Sequence, residues 1–251
     1  EGSDGYIGFT KANRSPDKED NKRWGAFVNW YGECASGQVD LPYEVLSENP
    51  EWEFYFTPAV LREESRLQTK FQHSNAIWID FDTEVDWQSF TPPPSIVVQT
   101  SEKKHHCYWL VQDPITNAND MRYWCKRFLE YFSGGDESGF DATQLLKLPW
   151  GLNLKNGART AEGEYFVPKV VKFEPALKYT EIAFEHIPEP RSALPDTVDM
   201  TAIPDLPESE GGWQHYVQVF RAELTPKIKT KLTQVQDGGE AKRSGALYHL
   251  E

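Results

Sequence analysis

The segment Asn75-Ala-Ile-Trp-Ile-Asp-Phe-Asp82 leaves the chain few conformations. In a strand successive side chains point to opposite faces, so Ile77, Ile79 and Phe81 share one face and Trp78, Asp80 and Asp82 the other. Such an apolar strand belongs inside a sheet, and it delivers two carboxylates on one side at its C-terminal end. Side by side they repel, and a cation between them resolves the repulsion. A strand end running into a turn with two solvated acids explains the same string, and this segment alone leaves both readings open.

Around it, short apolar runs alternate with turn signals and helical stretches from Trp24 to about Pro190, the pattern of an α/β or α+β domain. Segments 24–31 and 52–60 and the run Ser95–Gln99 are further core pieces, and the chain's 9 Trp, 11 Tyr and 14 Phe supply bulky material for a core. Met121, Trp124, Cys125, Phe128, Leu129 and Phe132 recur at helical spacing, which predicts a helix over Asn119–Phe132. Asn117 or Asn119 caps its start and Gly134-Gly135 ends it. Residues 15–23 are charged and polar, a surface loop. No apolar stretch has the length of a membrane span, and no signal peptide opens the chain.

Three cysteines, Cys34, Cys107 and Cys125, are widely spaced and form no Cys-x-x-Cys pair. They support neither a disulfide framework nor a zinc site and read as free thiols in a reducing cytoplasm. The net charge of −13 argues against a protein that coats nucleic acid. More than half of that excess lies in residues 181–210, however, where eight carboxylates face a single Arg. The expected organisation is a main domain over 1–190, an acidic, Pro-rich linker over 191–210 and a helical segment over 211–251. That last segment carries six basic residues against four acids. Its final helical pattern stops at Glu251, as expected of a piece cut from a longer polypeptide.

Two further motifs carry chemistry. Ser95–Val111 reads as two strands joined by a polar turn, with His106, Tyr108 and Leu110 on one face and His105, Cys107, Trp109 and Val111 on the other. Lys103 and Lys104 sit at the turn, where ammonium groups meet phosphate oxygens. The string Gly135–Gly157 runs from Asp136 through Leu-Leu-Lys147-Leu-Pro-Trp-Gly-Leu-Asn153-Leu-Lys155. Taken singly, these are an ordinary hairpin and an ordinary charged loop with a helical turn.

Together, in this order, the three motifs resemble the archaeo-eukaryotic primase superfamily in its plasmid and phage form, over roughly residues 50–180. Asp80-x-Asp82 is similar to its first motif, and Ser101, Lys103, Lys104 and His106 to its second. Lys147-Leu-Pro-Trp-Gly-Leu-Asn153-Leu-Lys155 is similar to its third. The chain departs from the pattern in having Lys147 where Arg is commoner, in Trp150 beside the glycine, and in lacking a zinc-binding Cys/His cluster.

The resemblance implies an N-terminal α/β unit packed on an RRM-like sheet, with a C-terminal helical appendage. It implies two Mg²⁺ or Mn²⁺ ions about 4 Å apart on Asp80, Asp82 and Asp136. Asp141 is the alternative third ligand, although it also suits a cap on a helical turn at Ala142–Lys147. Ser101, Lys103, Lys104, His106, Lys147, Asn153 and Lys155 would bind the nucleotide. The implied partners are single-stranded DNA template, dNTPs or NTPs and, in the full-length protein, a fused or associated helicase. A replication initiator that binds DNA without polymerising, or a metal-dependent phosphodiesterase, is the alternative on the residues alone.

Overall fold

The computed structural model describes residues 5–14, 24–35, 38–39, 43–48, 51–155 and 160–191. Its strands are β1 (Tyr6–Arg14), β2 (Trp24–Ala35), β3 (Gln38–Val39), β4 (Glu53–Phe56), β5 (Val60–Leu61), β6 (Phe71–Phe81), β7 (Ile96–Gln99), β8 (His105–Ile115), β9 (Leu146–Gly151), β10 (Lys169–Phe173) and β11 (Lys178–Tyr179). Among the described residues two α-helices join them, α1 (Tyr43–Glu48) and α2 (Ala118–Phe132). The strands form one sheet whose main path is β10-β7-β8-β6-β5-β1-β2-β3, with β4 bonded to β1 and β9. Apart from the parallel pair β8 and β11, all pairings are antiparallel. The mixed α+β architecture agrees with the expected primase fold. β6, β7, β8 and β10 with α2 make the RRM-like half, and β1, β2, β4, β5 and β9 make the N-terminal half.

The segment predicted to be an apolar strand is β6, at the middle of this path. Its Ile77, Ile79 and Phe81, with Val97, Cys107 and Trp109 of the neighbouring strands, are buried, and α2 lies against this sheet. The helix forms where the spacing predicts it. Asn117 caps it, its side chain accepting from the Asn119 N–H at 2.7 Å. Ser133 then takes φ 51° and Gly134 φ 80°, which ends the helix. Met121, Cys125 and Phe128, at i, i+4 and i+7, are fully buried. Trp109 meets Phe128 edge-on at 5.1 Å and stacks on Phe132 at 4.9 Å, while its Nε1 donates to the Pro92 carbonyl at 2.8 Å. A buried indole is thus held by aromatic packing and by a satisfied polar handle. Arg127 donates to the Ile187 and Phe184 carbonyls, fastening the 3₁₀ turn Glu181–Phe184 onto the same layer.

None of the three cysteines forms a disulfide, and all are buried. Burial pushes the Cys125 thiol up to about 12. The same cause raises Cys107 further, so both behave as small apolar groups.

One local expectation is corrected. Ala142–Lys147 is not a helical turn: a single turn closed by Gln144 N–H on the Asp141 carbonyl leads directly into β9. Leu146 and Lys147 pair there with Phe56 and Tyr55 of β4, and strand pairing prevails over the short helical signal. The loop expected at 15–23, all of the linker but Arg191, and the helices expected over 211–251 lie outside the described residues. No described helix is long and apolar enough to cross a membrane.

Phe128 is fully buried whereas Phe173 is 65% exposed. Phe128→Ala is expected to lower unfolding stability by about 3–5 kcal/mol. Phe173→Ala should stay within about 0.5 kcal/mol. Urea denaturation of both variants checks this, and equal losses would contradict the assigned core.

Candidate functional site

The register of β6 on β8 builds the site. Trp78 pairs with Tyr108 and Asp80 with His106, while Val98 of β7 flanks His106 on its other side. Alternation then puts Asp80 and His106 on the face opposite α2, with Asp80 Oδ1 3.3 Å from His106 Nε2. The His106 side chain is buried; that of Asp80 keeps 23% of its surface. Burial by itself raises the Asp80 pKa. His106 first, then Lys155 and Lys104, outweigh burial and hold the carboxyl below its ordinary value.

Asp82, two residues on, receives Lys104 Nζ at 2.6 Å. Lys104 comes from the β7–β8 turn, closed by the Thr100 and Ser101 N–H groups donating to the Lys104 carbonyl, and Ser101 is buried there. Lys103 sits at the rim, 2.9 Å from Glu84, with both side chains largely exposed. His105 points the other way from His106, and burial lowers its pKa.

Asp136 reaches this strand end through the backbone: its N–H donates to the Asp80 carbonyl at 2.7 Å. That approach requires Gly135, where an added Cβ would lie 2.4 Å from Leu129 Cδ1 and 2.6 Å from Ile79 Cγ2. The Asp136 carboxylate accepts from Ser138 N–H and Oγ at 2.9 and 2.8 Å. Asp141 also caps its own turn, accepting from Thr143 N–H and Oγ1. Its charge acts on Cys125, a residue of α2. Among the described residues no three His, Cys, Asp or Glu side chains stand preassembled as a metal cage. The ionised Asp80 and the half-exposed Asp82 are nonetheless hard oxygen donors of the kind a divalent cation takes. The Lys104 ammonium on Asp82 marks the place as one that attracts positive charge.

The third motif divides. Lys155 is exposed and close enough for its charge to act on Asp80. Lys147 and Asn153 are buried, Lys147 against Glu53 and Tyr55, Asn153 against the Thr100 carbonyl. Glu53 is the residue that sequence reasoning missed. Its signal was there: within the aromatic run Trp-Glu-Phe-Tyr-Phe, alternation puts Glu53 and Tyr55 on one side of a strand. On the Asp80 face a cleft of about 560 Å³ opens between the two halves of the sheet, its walls including Phe56, Ile96, Val98, Tyr108, Leu148 and Phe173.

Strands and one long helix in this order make a primase-type fold, with Asp80 of β6 and His106 of β8 side by side at one strand end. Among solved structures, the AEP domain of the cyanophage S-2L primase-polymerase has this fold, with a TM-score of 0.52 and 15% identity over 72% of this chain and 89% of that one. Primase RepB′ gives a TM-score of 0.49 at 13% identity over 92% of this chain and 68% of that one. The catalytic domain of primase RepB′ in complex with initiator DNA gives 0.45 at 16% identity over 68% and 82%. No curated protein sequence matches the chain. The family model of the RepB DNA-primase N-terminal domain matches residues 59–186, just over half of the chain, and the chain belongs to that family.

Because the folded Asp80 carboxyl releases its proton more readily than an ordinary one, its contribution to stability is complete above the unfolded value of about 3.9. It is lost as pH falls through the depressed folded value. In metal-free buffer the melting temperature of the wild type should therefore fall more steeply below about pH 4 than that of Asp80→Asn. Parallel curves would remove the electrostatic role given to His106, Lys155 and Lys104.

Proposed function

We propose that residues 1–190 catalyse template-directed nucleotidyl transfer, the activity of a DNA primase-polymerase. One observation carries the reading most: in a chain of the RepB primase family, Asp80, Asp82, His106, Lys104 and Lys155, drawn from three separate motifs, meet at one end of β6.

Asp80 and Asp82, with Asp136 tied to the same strand end, are the residues that would hold Mg²⁺ or Mn²⁺. Bound there, such ions would lower the pKa of a 3′-hydroxyl and neutralise charge on a triphosphate and its pyrophosphate leaving group. The chain's own part is alignment. Lys104 and Lys155 bring positive charge beside the carboxylates, where a triphosphate needs it, and Lys103 extends that charge to the rim. His106 is buried beside Asp80, and its Nδ1, buried without a hydrogen-bond partner, is the ring atom that a phosphate or sugar oxygen would have to reach. Ser101 shapes the turn that carries these groups, and Asn153 fastens that turn to the third motif. The cleft that Tyr108 helps to line offers base and sugar an apolar seat. Template DNA held through its backbone leaves sequence to base pairing.

The test incubates the chain with Mn²⁺, single-stranded template and labelled dNTPs or NTPs. Incorporation is the expected result. Strand cleavage would instead make the chain a phosphodiesterase, and binding with neither reaction an initiator module. Asp80→Asn, Asp82→Asn and Asp136→Asn should each reduce incorporation at least about 100-fold with the fold retained by circular dichroism. An inactive Asp141→Asn beside an active Asp136→Asn would reverse the assignment of the third carboxylate.

A further inference from the structure

The three basic and amide residues of the third motif are not presented alike. Lys147 is 5% exposed, its Nζ 2.6 Å from Glu53 Oε1 and 2.7 Å from the Tyr55 hydroxyl. Glu53 is fully buried, and the same Oε1 accepts the N–H of Leu154 at 3.1 Å. One carboxylate therefore holds the segment near both its beginning and its end. Asn153, 2% exposed, donates Nδ2 to the Thr100 carbonyl at 2.6 Å and accepts the Lys155 N–H at 3.3 Å. Between these anchors Gly151 adopts φ +73°, and a Cβ there would come within 2.4 Å of the Trp52 carbonyl oxygen. The segment is thus pressed onto β4, fastened to the β7–β8 turn, and ends with Lys155 exposed.

We infer that Lys147 and Glu53 form an internal strut: they are positioning residues that hold Lys155 and the Thr100–Lys104 turn against Asp80, and Lys147 does not touch the nucleotide. This rests on the primase-polymerase reading of the site. The physical reason is desolvation. An ammonium that left Glu53 for a phosphate would withdraw its charge from a carboxylate that has no exposure to water. The Tyr55–Lys147 pairing of β4 and β9 holds the two backbones together at the contact, and the Lys147 side chain is buried there. Lys155, later in the same segment, is exposed, acts on Asp80 and supplies the charge the site needs.

The experiment compares Lys147→Met, Glu53→Gln, the Lys147→Met/Glu53→Gln double variant and Lys155→Met with the wild type. It measures melting temperature, binding of dATP with Mn²⁺, and KM and kcat for incorporation on a single-stranded template. Each strut single variant should melt several degrees lower and show KM raised about tenfold. The double variant, which removes both charges together, should recover most of the melting temperature and most of the KM. Lys155→Met should weaken dATP binding about tenfold while lowering the melting temperature far less than either strut single variant. A double variant that melts like the wild type but keeps the KM of Lys147→Met would show that Lys147 itself holds phosphate, and the strut would be wrong. If the single variants do not fold, the double variant decides alone: KM near the wild-type value supports the strut, and KM about tenfold higher overturns it. A double variant that does not fold also overturns it, since the strut requires a neutral pair to be tolerated there. A wild type that neither binds dATP nor incorporates it removes the functional reading and the positioning role with it, an outcome distinct from the loss of the double-variant rescue alone.

Discussion

Asp80 stands beside His106 because β6 and β8 pair in one register. A slip of one residue would send Asp80 toward α2 and turn Ile79 into the site, since side chains alternate with period two. What forbids the slip is the opposite face. Ile77, Ile79 and Phe81 are buried beneath a helix whose Met121, Cys125 and Phe128 lie at matching spacing, and Trp109 is held by Phe128, Phe132 and the Pro92 carbonyl. The polar site is in this sense the outward consequence of an apolar core. An acid turned into that core would be desolvated without a partner, a far larger cost than the loss of any single contact at the site.

The same strand end eases the tension between a net charge of −13 and the proposed function on polyanions. Charge summed over a chain governs its long-range field, whereas binding depends on what lies within a few ångströms. Lys104 from a hairpin turn, Lys155 from a loop after β9 and His106 from a central strand gather on Asp80 and Asp82, and the local balance differs from the global one. Glu53 and Lys147 belong to a second, dry ion pair a short distance away. Being buried, that pair contributes chiefly to the geometry of the segment that bears Lys155.

Much of this was legible in the one-dimensional pattern. The alternation around Asp80, the division of His105 and His106 onto opposite faces, the helix over Asn119–Phe132 with a cap at Asn117 or Asn119 and a glycine end, and the free thiols all follow from periodicities of two and 3.6 and from the absence of cysteine pairing. These are local properties, each decided within a dozen residues. The short helix read at Ala142–Lys147 was misplaced for the same reason. Its local preference is weak, and pairing with β4, about ninety residues earlier in the chain, outweighs it.

By itself the sequence determined which residues share a strand face, where the long helix begins and ends, and that acids, lysines and a histidine recur in the order of a primase. It could not determine which lysine is available to a ligand. Lys147 and Lys155 are the same residue type eight positions apart in one motif, and nothing local tells them apart. Only the tertiary structure sets Glu53 of β4 against Lys147 and leaves Lys155 exposed beside Asp80. The reason is that an ammonium's role is decided by its surroundings: beside a buried carboxylate it is committed to that partner, and in water next to a strand end it is available.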